Sequence, residues 1–134
     1  MQSIELISIS TDEVIIANKE EFNDQDVQIN FTRNINHIDN TPDLYLANCF
    51  AEMYLLAEKD QDAFSRSFYV KVSMQGEARC LIPEQNRNDN LLHAEIVKEI
   101  FPHLRATLAS VMSVVGLSPF FLPPLAPLAT NDNQ

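Results

Sequence analysis

Between Arg105 and Asp132 the chain carries no charged side chain, and Pro119, Pro123, Pro124 and Pro127 break up the second half of that interval. Its first half has the pattern of an amphipathic helix. Ile100, Leu104, Leu108, Val111, Met112 and Val115 recur every three or four residues, so they share one face. Gly116 is the expected stop, because glycine readily takes the left-handed backbone that closes helices. The prolines beyond it forbid a regular helix and favour an extended arm carrying Phe120, Phe121, Leu122, Leu125 and Leu128. A membrane span needs about 20 apolar residues in unbroken helix. Ala106 to Val115 is too short for that, so no membrane insertion is expected and the apolar arm must be buried against protein.

Length and composition bound the rest. The 134 residues, 46% hydrophobic and 21% charged, fit one globular domain over 1–134 with a polar tail from about residue 130. A net charge of −10 argues against nucleic acid as a partner, since little here would neutralise phosphates. The opening MQSIELISIS has neither a basic stretch nor a long apolar run, so no secretory signal is visible. Cys49 and Cys80 fit buried thiols better than a disulfide framework, and a cytoplasmic address is the expectation.

In chain order, residues 3 to 16 read as a strand, bent or bulged near Thr11 where the apolar pattern changes phase. Asn18 to Gln25 reads as a loop. Val27, Ile29 and Phe31 alternate with polar neighbours, as a strand with one wet face does. Asn34 to Pro42 is rich in turn formers. Leu44 to Glu58 is apolar on both alternate sets, which fits a central strand or a buried helix; the strand is preferred because a polar turn at 59–62 leads into a second alternating run from Phe64 to Gln75. Together they make an antiparallel hairpin that ends around Gly76, with Ala78 to Ile82 as a short apolar tail. Asp89 or Asn90 can cap the helix that follows, and Pro102 either kinks it or starts a second one. The order is four strands, a helix and an apolar arm.

Nothing in this order assembles a catalytic group. His37, His93 and His103 are scattered, and His93 and His103, ten apart, read as a surface pair on one helical face. The carboxylates Asp12, Glu13, Glu20, Glu21, Asp24 and Asp26 read as solvated surface. Only two glycines exist, too few for a phosphate-cradling loop, and Cys49 lies in an apolar run without an activating neighbour. No metal, cofactor or catalytic residue is therefore expected. What the chain does have is apolar surface in excess of what one helix covers, which suits a groove for apolar stretches of other chains.

The run Ile100-Phe101-Pro102-His103-Leu104-Arg105, followed by Gly116, Phe120, Leu122, Pro123 and Pro124, resembles the C-terminal half of the protein-export chaperone SecB family. That family carries an L-F-P-x-x-R helix start, a glycine at the helix end and a P-x-L-x-L-P-P-like segment; with four strands before the helix, the resemblance spans residues 4 to 128. It implies an α+β fold: a four-stranded antiparallel sheet, a long C-terminal helix on one face and an extended proline-rich arm. It also implies a homotetramer, a dimer of dimers, that holds unfolded polypeptides without ATP and passes them to the SecA motor. By correspondence the client groove falls on Val27, Ile29 and Phe31 and on Phe120, Phe121, Leu122 and Leu125, while Ile100, Leu104, Leu108, Val111 and Val115 serve helix and oligomer packing. Glu13 matches one acidic SecA-docking position, but Ala17 and Lys71 stand where carboxylates are expected, and a lysine there repels a basic tail. The second family helix looks reduced, and the glycine pair closing the fourth strand is a single Gly76. A divergent SecB-like holdase is the leading expectation; a dedicated binder of one protein, as in toxin–antitoxin systems, is its rival, and an enzyme using one of the histidines comes third.

Overall fold

The structure is a computed structural model and describes residues 3–18 and 27–114. Four strands, β1 (Ile4–Asn18), β2 (Val27–His37), β3 (Leu44–Leu55) and β4 (Phe68–Cys80), precede one helix, α1 (Asp89–Val114). They form one antiparallel sheet in the order β1-β4-β3-β2, so both hairpin strands of the centre are flanked and β1 and β2 form the edges. Because side chains alternate along a strand, residues opposite one another make rungs. Ile16, Val70, Met53 and Ile29 form one rung across all four strands, and Val14, Val72, Ala51 and Phe31 form the next. These rungs belong to the face that α1 covers.

The helix meets that face with Leu92, Ile96, Ile100, Leu104, Leu108 and Met112, all buried, and with Phe101 set edge-on to Phe31 at 5.2 Å between ring centroids. The spacing read from sequence is thus the packing stripe. Pro102 lies inside one continuous helix and does not start a second. Pro102 is exposed, as is Lys98 one turn earlier, so the interrupted turn lies on the solvent side of the helix. The cap is neither Asp89 nor Asn90: the side chain of Asn88 accepts from the Leu91 N–H at 3.2 Å.

Three strand limits differ from expectation. β4 begins at Phe68, and Phe64 instead belongs to a single 3-10 turn, Ala63–Ser65, where the Asp62 carboxylate accepts from the Phe64 N–H at 3.1 Å. β3 ends at Leu55, with a second 3-10 turn over Leu56–Glu58. β4 also runs past Gly76 to Cys80. Gly76 is no terminator; a Cβ there would lie 3.1 Å from Ile100 Cδ1 and 3.2 Å from the Ser8 carbonyl oxygen. The helix crosses the sheet at the one position without a side chain. β1 carries the bulge expected near Thr11, between Thr11 and Glu13, and a second between Leu6 and Ser8. The Gly116 stop, Val115, the proline-rich arm with Phe120, Phe121, Leu122 and Leu125, and the loop expected after Asn18 lie outside the described residues.

Candidate functional site

The two edges of the sheet are built differently. Exposed N–H and C=O groups along an edge strand are a template for further pairing, and proteins blunt them with bulges, charges or proline. β1 has two bulges, and Glu5, Asp12 and Glu13 along its length are exposed. β2 has an uninterrupted register against β3 from Val27 to His37, no bulge and no proline. Its solvent-side residues, Gln28, Asn30, Thr32, Asn34 and Asn36, are uncharged, and its one charged residue, Arg33, is opposite Cys49 on the helix side. Among the described residues the second edge of β2 pairs with no strand.

On the helix side, the sequence-derived groove residues divide. Val27 and Ile29 are half-buried and keep surface at the edge, whereas Phe31 is wholly enclosed beneath Phe101. Phe31 therefore anchors the strand, and Val27 and Ile29 are the members that present apolar surface. Ile100, Leu104 and Leu108 have no exposed surface within this chain, and Val111 is half-buried. At the opposite edge, Val14 and Ile16 on the same face remain about two-fifths exposed.

The outer face is a polar and aromatic layer. The Arg66 guanidinium is stacked between the Tyr54 and Tyr69 rings, 4.6 and 4.9 Å from their centroids, and donates to the Glu58 and Lys59 carbonyls at 3.1 and 2.8 Å. The Glu58 carboxylate accepts from the Ser67 hydroxyl at 2.7 Å and from the Ser67 N–H, which holds it below the usual carboxylate range. Tyr69 donates to Glu52, and burial with that carboxylate pushes the phenol up. The Lys71 ammonium is 2.9 Å from Glu13 and 4.7 Å from the centre of the Phe50 ring. So Glu13, the one acidic position expected to meet SecA, is paired with the very lysine that departs from the acidic pattern. Ala17 is half-buried opposite Tyr69.

The histidines regroup. His103 is exposed on α1, while His93 and His37, at the end of β2, both lie edge-on to the Tyr45 ring, at 6.3 and 5.1 Å between centroids. These three rings border an open cleft of about 750 Å³, lined also by Ile35, Asn36, Pro42, Glu84, Arg87 and Asp89. Spacing along one helix paired His93 with His103; only the strand order brings residues 37 and 93 together, and no local signal announces it. Among the described residues no group of three His, Cys, Asp or Glu can hold a metal ion, and no helix is long and apolar enough to cross a membrane. Both cysteines are free and buried, and burial pushes the Cys49 thiol up to about 12, with Arg33 pulling weakly the other way.

No protein-family model and no curated protein matches the sequence. Among solved structures the chain is similar to the Mycobacterium tuberculosis Rv1957 SecB-like chaperone, solved in complex with a ChAD peptide from the Rv1956 HigA1 antitoxin. The TM-score is 0.62 over 90% of this chain and 86% of that one, at 9% identity. The fold is shared: a four-stranded antiparallel sheet with one long C-terminal helix.

Proposed function

We propose that the chain is a SecB-like polypeptide-binding protein that holds extended, apolar segments of other proteins and acts by binding, not by turnover. The observation that carries this is the edge of β2 that no strand pairs among the described residues, eleven residues in uninterrupted register with half-buried Val27 and Ile29 along its rim. A segment added there gains backbone hydrogen bonds at every second residue and lays alternate apolar side chains on that rim. Phe120, Phe121, Leu122 and Leu125 of the arm form the second wall in this reading. Each large side chain buried contributes about 1.5–3 kcal/mol before ordering costs, so many weak contacts suffice. Cytoplasmic residence, a homotetramer and delivery of preproteins for export belong to the same reading, with the paired Glu13 making SecA contact its weakest part.

A second reading has its own support: the similar chaperone of known structure was solved with one antitoxin peptide. On that reading the groove serves a single partner. The experiment is light-scattering mass and aggregation of a slowly folding client, with and without the protein, in the absence of ATP. Suppressed aggregation, lost when lysines are placed on the edge (Thr32→Lys with Asn34→Lys), is the expected result. Indifference to unfolded chains moves the proposal to the single-partner reading, and failure of the lysines to matter removes β2 from it.

A further inference from the structure

Two imidazoles and a phenol close on one point of the molecule, at the place where the free edge of β2 ends. Ile35, Asn36 and His37 are its last residues, and all three line the cleft. A segment paired with β2 therefore delivers its terminal side chain there. The polarity of the cleft is fixed by charges whose partners are known. Arg87 is not available to a ligand: its guanidinium donates to the Ile82 and Pro42 carbonyls at 2.9 and 2.7 Å and pairs with the Asp43 carboxylate. His37 Nε2 is 3.1 Å from the Pro42 carbonyl oxygen, which can only accept, so that nitrogen carries a hydrogen.

Glu84 and Asp89 are exposed, and among the described residues neither carboxylate has a hydrogen-bond or ion-pair partner. With Asp43, Glu84 and Asp89 set against Arg87, the carboxylates around the cleft outnumber its one guanidinium. The start of α1 contributes roughly half a positive charge, too little to reverse two free carboxylates. We propose that this cleft is a side-chain pocket for arginine, supplied by a polypeptide segment laid along β2; it rests on the reading of β2 given above. A guanidinium stacks on aromatic and imidazole rings and pairs with carboxylates in its plane, and the cleft offers both. An acidic side chain is repelled, and a long aliphatic one leaves the carboxylates unmet.

The first probe is N-acetyl-arginine amide, titrated into the full-length protein while the ring resonances of His37 and His93 are followed by NMR. Both resonances are expected to shift saturably at pH 7.5, with Glu84→Gln plus Asp89→Asn weakening binding at least fivefold. N-acetyl-glutamate amide is expected to leave them in place. No shift, or an equal shift with both amides, overturns the pocket. The second probe is a fluorescein-labelled peptide of alternating Val and Thr bearing Arg, Gln or Glu at either end, read by anisotropy. Tighter binding of an Arg-ended peptide, lost in the double variant, supports the proposal. Equal binding of all peptides removes the pocket and leaves the β2 reading standing. Binding of the amide with no measurable binding of any of the peptides removes the polypeptide occupant and the β2 reading together.

Discussion

Cys49 shows how far burial alone decides chemistry. Its sulfur has no exposed surface between Arg33 on β2 and Met74 on β4, and its thiol is held up to about 12. The nucleophile is the thiolate, so Cys49 should not react with a disulfide reagent at pH 8 in the native state, and burial shields Cys80 from the same reagent. Both should react in denaturant; rapid native labelling would show that the sheet opens locally. Glu58 works in the opposite direction. Its carboxylate is stabilised by Ser67, so its folded pKa is lower than its unfolded one. The stability this contributes is present above the unfolded carboxylate range and is lost as pH falls through the folded value. Because the group is close to the surface, Glu58→Gln should cost about 1 kcal/mol at neutral pH. In acid, thermal melts of variant and parent should converge; an unchanged melt at pH 7 would refute the role of the staple. The sequence marked Cys49 as packing, but it gave no hint of the Glu58–Ser67 staple, because such a contact needs the turn geometry and not the residue types.

At the level of elements, the alternation of Val27, Ile29 and Phe31 and the stripe of Ile100, Leu104, Leu108 and Met112 announced strand and helix directly, since both reflect one buried face. Gly76 and Pro102 share one difficulty: a single residue reads as punctuation along the chain. Gly76 reads as a stop in one dimension, yet in the fold it is a gap in a central strand that admits Ile100. Pro102 reads as a kink or the start of a second helix, yet it lies exposed within one continuous helix. Gly76→Ala tests the first of these. Its Cβ would press on a backbone oxygen of β1 as well as on α1, so a loss of about 1–3 kcal/mol in denaturant melts is expected. A neutral or stabilising result would mean that helix and sheet separate at little cost.

For the molecule as a whole, the sheet order decides what spacing could not. It sets β2 at one edge and β1 at the other, gathers His37, Tyr45 and His93, and pairs Lys71 with Glu13. Surplus apolar surface was legible, but not which residues keep it; Phe31 spends it inside the core. The contrast between the two edges carries a further consequence, familiar from polymer chemistry. A sheet with two ready edges is a bifunctional monomer, and copies of it add end to end without limit. Two bulges on β1 leave this sheet monofunctional: whatever joins β2, be it a foreign strand or a second copy, ends the chain-growth reaction in the same step.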